Sequence, residues 1–377
     1  MAELIYGPSY RAYDLGPEHP FSPERQEMAL DLVAALGHTV QRIEPEPATR
    51  EEILTVHDEG YVRAVEALSA GEPFQDAAAL GLGTPDTPVF PGIDLAVRSL
   101  VGGTLTGARL VSEGRATRVL QFGGGLHHAH PASASGFCVY NDLAVAIKHL
   151  TANGLWVSYI DIDVHHGDGV QAAFYKDDKV QTISLHESGQ YLFPGTGAIH
   201  ELGDGMGRGL KINLPLEPFT DAQSYLEVFE MLVPRAVEAF GPHVLVVQAG
   251  ADAHFDDPLA DLALTTQAYE KLYRRILDLA DQFTEGRVLV TLGGGYSLHA
   301  AARVWTILYL VMNDLPVPGA IPKAWAAKWA ERLGGKTAAT LHDADPPYER
   351  LPNRDEIAQR NQVVAKRLID ALMPYWF

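Results

Sequence analysis

Apolar and polar positions along the 377-residue chain repeat with two periods that alternate. Helical spacing, with apolar residues three and four apart, runs over Asp142–Leu150, Ala222–Ala239, Gln267–Phe283 and Leu298–Met312, and Ile93–Val111 reads as a long buried helix. Between them lie short apolar runs, Arg118–Phe122, Leu155–Ile160, Val180–Leu185, Val244–Gln248 and Val288–Leu292, with Leu210–Leu214 as a further candidate strand. Strands that read as near-continuous apolar runs belong to parallel sheets buried on both faces. Nearer the start, Ser22-Pro23 predicts a capped helix ending at Leu36 before Gly37, and Thr49-Arg50-Glu51-Glu52 reads as a capping box for another. The stretch Pro316–Pro352 predicts an irregular surface wrap, and Asn353 starts a last helix ending near Met373. Neither a repeat nor a linker interrupts this order. The expectation is one α/β domain over residues 1–377, a mostly parallel sheet with helices on both faces.

Polar residues gather where the strands end. Phe122 is followed by Gly-Gly-Gly-Leu-His127-His128, and Ile160 by Asp161-Ile-Asp163-Val-His165-His166-Gly-Asp168. His186 follows Leu185, Asp252 comes four residues after Gln248, and Gly-Gly-Gly-Tyr296 follows Leu292. In open parallel sheets the ligand site lies outside the carboxyl ends of the strands, so five strand ends deliver His, Asp and Tyr to one edge. Asp161, Asp163 and His165 alternate at period two and share a face of an extended chain. Asp163 and His165, joined by Asp252, suit one zinc, iron(II), cobalt or manganese ion with room for a water. A buried His–Asp hydrogen-bond network without metal is the alternative. Asp161 and Asp168 are available to hold the ring N–H groups of two histidines. His127 and His128 suit general acid–base work, and the Tyr296 hydroxyl suits an oxyanion. Phe137 and Phe193 flank glycine or Pro-Gly in loops of the same edge and suit an apolar slot.

Composition narrows the class. With 47% apolar and 20% charged residues the chain can bury a large core, which excludes disorder. Lys plus Arg number 29 against 48 Asp plus Glu, a formal charge of −19, which argues against nucleic acid as a partner. The single cysteine, Cys138, excludes an internal disulfide and a multi-cysteine zinc finger. The amino terminus lacks the pattern of a signal peptide, and no apolar run reaches the length of a membrane span, so a cytoplasmic protein is expected. Neither glycine triplet fits the dinucleotide pattern G-x-G-x-x-G, because His128 and Leu298 stand at the last glycine position.

The strings GGGLHHA (123–129), GFCVYND (136–142), DIDVHHGDG (161–169), SLH (184–186), LFPGTG (192–197), GADAHFDDPL (250–259) and LGGGY (292–296) resemble the metal-dependent histone deacetylase family, most closely its bacterial acetoin-utilisation deacetylases. The motifs follow family order and spacing over roughly residues 13–310, leaving 311–377 as the carboxy-terminal wrap and helix. The resemblance implies the arginase/deacetylase fold and a zinc-dependent amidohydrolase releasing acetate from ε-acetyl-lysine, with iron(II) as an alternative metal. It makes Asp163, His165 and Asp252 the metal ligands, His128 the general base backed by Asp168, and His127 its paired histidine backed by Asp161. Tyr296 becomes the residue that polarises the acetyl carbonyl. Phe137 and Phe193 become the tunnel walls, Gly136 part of the floor, Asp86 the rim aspartate, and Arg25 an arginine near an acetate channel. It further implies one potassium ion near Asp161, Asp163, His165, Ser184 and Leu185, and a second near Phe174 and Val180.

Three rivals stand beside this reading. An arginase-like two-manganese enzyme would need aspartates where Gly167 and His254 stand. An acetylpolyamine amidohydrolase would be expected to carry an acidic gatekeeper at Leu259. A non-catalytic acetyl-lysine binding module would be expected to lack one of the ligands, histidines or the tyrosine. The expected partner is an acetylated protein, with acetyl-CoA synthetase as a candidate, and the oligomeric state is left open.

Overall fold

The computed structural model describes residues 1–335, 337–351 and 353–376; Pro352, the expected end of the wrap, lies outside them. In chain order the elements are β1 (Glu3–Ile5), α1 (Glu24–Ala35), α2 (Arg50–Ile53), α3 (Glu59–Ser69), α4 (Ile93–Ser112), β2 (Arg118–Gln121), α5 (Asp142–Ala152), β3 (Val157–Asp161), α6 (Asp168–Ala173), β4 (Val180–Glu187), β5 (Lys211–Leu216), α7 (Ala222–Phe240), β6 (Val244–Gln248), α8 (Thr266–Phe283), β7 (Val288–Thr291), α9 (Leu298–Met312), α10 (Lys323–Trp329) and α11 (Arg354–Trp376). The seven strands form one sheet in the order β1-β2-β7-β6-β3-β4-β5, and every neighbouring pair is parallel. This is the α/β architecture of the arginase/deacetylase fold.

Period-two alternation sends side chains to two cores. Val157 and Tyr159 of β3, Val244 and Val246 of β6 and Leu289 of β7 join a cluster with Leu143, Ile147 and Leu150 of α5. Ile160, Leu245, Val247 and Val290 point the other way, into the larger cluster built with α1, α7, α8 and α9. Both faces are dry, which explains the unbroken apolar runs.

Two local expectations change. The Thr49 capping box forms, but its helix stops at Ile53 and the longer amphipathic helix α3 starts after Asp58. The stretch expected to be irregular contains α10, whose Trp325 is buried and donates from Nε1 to the Met28 carbonyl at 3.0 Å. Prolines at 316, 318 and 322 suggested irregular chain, yet all three precede α10, which buries its tryptophan against α1. No helix among the described residues is long and apolar enough to cross a membrane.

The strand order reverses beside β3: the chain passes to β4 and β5 on one side and returns to β6 and β7 on the other. Gln121, Thr291, Gln248 and Asp161 pair in one row across β2, β7, β6 and β3. The loops leaving these four strands therefore start level with one another at the switch point, where such sheets bind ligands.

Candidate active site

The loops after β3 and β6 bring Asp163, His165 and Asp252 together, with one ligand atom from each within 4.8 Å of the others. All three are buried. His165 Nδ1 lies 3.0 Å from Asp163 Oδ1 and 3.2 Å from Asp252 Oδ2. The far carboxylate oxygens are held by donors: Gln248 Nε2 at 2.7 Å and Gly294 N at 2.8 Å on Asp163 Oδ2, and Val164 N at 2.9 Å on Asp252 Oδ1. Gly294 is required here, since a Cβ at that position would meet Asp252 Oδ2 at 1.9 Å. Burial and the neighbouring Asp163 charge push Asp252 above the ordinary carboxylate range. Two dry carboxylates pressed together call for a cation, and this oxygen–nitrogen set fits a divalent metal.

Against this group stand two histidines with separate carboxylate partners. His127 Nδ1 is 2.8 Å from Asp161 Oδ2, which also accepts from the Tyr159 hydroxyl at 2.6 Å. His128 Nδ1 is 2.7 Å from Asp168 Oδ1, and the rings of His127 and His128 lie 4.0 Å apart. Their protonation diverges. Burial opposes the charge on His127, but Asp161 and Asp163 outweigh it and raise the group to about 9. Burial and the charge of His127 lower His128 to about 3, against the pull of Asp168. The two adjacent imidazoles are thus pushed in opposite directions, His127 toward the cation and His128 toward the neutral base.

Tyr296 follows the β7 glycines. Its backbone N donates to Asp257 Oδ2 at 2.7 Å, and its ring packs edge-on to Phe137 at 5.7 Å and to His165 at 6.5 Å. Phe193, 44% exposed, sets its ring 5.0 Å from His128. Phe137 takes φ +67°, and its carbonyl accepts from the Tyr13 hydroxyl at 2.6 Å. Beside it Gly136 has φ +52°, and a Cβ there would enter the His128 ring at 2.3 Å. Gly136 N donates to the exposed Asp86 carboxylate at 2.9 Å. Leu259 is half-buried, and its N donates to Asp257 Oδ1 at 3.1 Å. Arg25 is buried with its hydrogen bonds on carbonyls, 2.7 Å to Gly295 and 3.3 Å to Gly293 from Nη1 and 2.9 Å to Ser22 from Nε.

Of the residues expected at potassium positions, the Asp163 and His165 carbonyls accept no protein hydrogen bond among the described residues. Ser184 Oγ is paired with His186 Nδ1 at 2.8 Å, and Leu185 is buried in β4 beside it. Near Phe174 and Val180 the arrangement differs: the Val180 carbonyl receives the ammonium of Lys211 at 2.6 Å.

Sequence reasoning missed several positioning groups. Gln248 closes β6 and grips Asp163; a polar residue ending an otherwise apolar run was its signal. His130 shares Asp168 at 3.0 Å, and the buried Asp142 accepts from Gly125 N and Leu126 N at 3.0 and 2.7 Å, fixing the glycine loop. Asp257 holds Tyr296, and His254 of the Asp252 loop turns to another carboxylate. Its Nε2 lies 3.0 Å from Asp343 Oδ2, while Arg303 Nη1 donates to Asp343 Oδ1 at 2.7 Å. Asp343 comes from the carboxy-terminal stretch and joins α8, α9 and the Asp252 loop. Burial works against its charge, but the His254 hydrogen bond and Arg303 hold the carboxyl below the usual range. Its contribution is therefore present above the unfolded carboxyl's pKa of about 4 and is lost as pH falls through the folded value. Asp343→Ala leaves Arg303 buried without its carboxylate, and urea unfolding near pH 7 should show a loss of about 3–5 kcal/mol. An unchanged midpoint would refute this clamp.

Parallel strands, a switch-point cluster of candidate metal ligands and two histidines anchored to separate carboxylates form a geometry suited to metal-assisted acid–base chemistry. The histone deacetylase domain matches residues 19–312, and the chain belongs to the histone deacetylase family. Asp343 lies beyond that match. The chain is 40% identical over 371 residues, 97% of its length and 96% of the relative's, to the acetoin utilization protein AcuC of Bacillus subtilis (strain 168). It is 35% identical over 96% of its length to the protein of that name from Staphylococcus aureus (strain MRSA252), of which 94% is covered. With the Staphylococcus xylosus protein it shares 34% identity over 99% of its length and 97% of that relative.

Proposed function

We propose that the chain is a zinc-dependent hydrolase that removes acetyl groups from ε-acetyl-lysine side chains of proteins. One observation carries this reading: Asp163, His165 and Asp252 converge within 4.8 Å, beside a histidine pair whose members are anchored to separate carboxylates, His127 to Asp161 and His128 to Asp168. Asp163, His165 and Asp252 would hold a divalent ion, which would supply Lewis acidity toward the amide carbonyl and lower the pKa of water. His128, neutral and anchored through Nδ1 to Asp168, takes the proton of the attacking water. His127, kept cationic by Asp161, gives a proton to the departing lysine amine. Groups whose environments push their pKa values apart divide into acid and base in this way. The Tyr296 hydroxyl donates to the oxyanion that forms on the acetyl carbon. Phe137 and Phe193 supply aromatic walls for the neutral acyl-lysine stem, and the exposed Asp86 carboxylate supplies an acceptor for substrate main chain. Arg25, whose hydrogen bonds go to carbonyls, offers a cation to departing acetate. Asp161, Asp163, His165, Ser184 and Leu185 would hold a potassium ion behind the site.

Substrate class rests on Leu259, an apolar residue at the position where a second ammonium would call for a carboxylate. The name of these relatives, acetoin utilization protein, agrees with a substrate among acetylated enzymes of acetyl-group metabolism. Comparing kcat/KM on an acetyl-lysine peptide and on acetylspermidine tests this directly, using protein stripped with chelator and reloaded with one equivalent of zinc. A metal-restored preference for the peptide is expected. Preference for the polyamine would replace protein lysine by a small cationic amide, and failure on both with every divalent metal would overturn the reading.

A further inference from the structure

Lys211 opens β5 with its side chain fully buried. A lysine so placed needs a partner, yet no carboxylate lies within ion-pair distance of it among the described residues. Its ammonium instead donates to two main-chain carbonyls, Val180 at 2.6 Å and Asp177 at 3.3 Å. Lys211 pairs with Thr182 on β4, so the stem runs back two residues to the start of that strand. The loop 203–207 closes over the stem: a Cβ on Gly203 would meet Lys211 Cγ at 3.0 Å, and one on Gly207 would meet the Asp177 backbone at 2.9 Å. A monovalent cation whose water has been replaced by carbonyl oxygens is the arrangement of a potassium site.

We infer that this chain fills its second monovalent-cation position with the ammonium of its own Lys211, and that potassium does not bind there. The contrast is internal to the molecule. The Asp163 and His165 carbonyls accept no protein donor among the described residues, whereas those of Asp177 and Val180 are already engaged by a covalently attached cation. The tether has a structural task. The turn it grips follows α6, whose first residue, Asp168, anchors His128 and His130. A fixed ammonium holds that turn whatever the surrounding potassium concentration, where a bound ion would leave at low salt.

Burial draws Lys211 down to about 7 against the pull of Asp177 and Asp178, so the comparison belongs at pH 6, where the ammonium is charged. Crystals of the full-length, zinc-loaded protein are soaked in thallium(I), and anomalous density is read at the Val180 and Asp177 carbonyls. Wild type is expected to show none there. Lys211→Ala is expected to gain an ion at these carbonyls. Its Tm should fall by about 3–6 °C in choline chloride and recover in equal KCl. Thallium at Val180 in the wild type would overturn the inference, as would a Lys211→Ala protein that gains no ion and responds equally to both salts. Should Lys211→Ala fail to fold, the wild-type density still decides. Neither readout depends on deacetylation, so the inference stands or falls apart from the proposed activity.

Discussion

Tyr296→Phe is expected to lower kcat/KM by about 10²–10³-fold, the usual cost of one oxyanion donor, with Tm close to wild type. The fold has little stake in this hydroxyl. The residue is held through its backbone N on Asp257 and through its ring against Phe137 and His165, and phenylalanine keeps these contacts. Burial and the charges of Asp252 and Asp163 push the phenol well above its ordinary range, so at neutral pH it keeps the proton it would donate. The loss should fall mainly on kcat, because the donor is needed most where negative charge develops. Wild-type turnover by the phenylalanine variant would remove Tyr296 from the mechanism.

Chelation should abolish turnover, and zinc should restore it with an affinity that rises with pH. The physical reason is His165. Burial disfavours its charge, but Asp163 and Asp252 on either side raise it to about 10 in the metal-free protein. The imidazole must therefore release a proton before Nδ1 can ligate. Calorimetry of zinc binding in buffers of different ionisation enthalpy should report net proton release, from His165 and from an Asp252 carboxyl raised by burial and Asp163. The sign for stability follows: a histidine raised from about 6.5 contributes fully below that pH and loses its contribution as pH rises through 10. The metal-free Tm should thus decline over that interval. Zinc binding without proton release would exclude Nδ1 of His165 as a ligand.

The mapping between sequence and structure was uneven in an informative way. β6 has the bounds its apolar run suggested, and α9 those its helical period suggested, because both elements are buried all round and local pattern there equals burial. The wrap failed at α10, where prolines outside the helix masked a tryptophan that only tertiary burial explains. Lys211 was invisible as a partner for Val180, since nothing local distinguishes a lysine folded inward from one in solvent. Gln248 and Asp343 were missed for a related reason: their roles are contacts to residues 85 and 89 positions away.

By itself the sequence determined which residues are chemically able: strands too apolar to face water, and His, Asp and Tyr clustered where each strand stops. Period-two spacing suggested one face for Asp163 and His165; the chain bends at 163–165 beyond β3, and the two side chains still meet, with His165 Nδ1 3.0 Å from Asp163 Oδ1. Tertiary structure alone decided the order β2-β7-β6-β3, and hence which strand ends are neighbours. It set Asp252 against His165, and it set Asp161 and Asp163 against His127 while burial and the His127 charge act on His128, so that the pKa values of adjacent, chemically identical side chains are pushed in opposite directions. Burial and the position of neighbouring charge control a pKa, and both belong to the packed sheet edge rather than to any local stretch of chain.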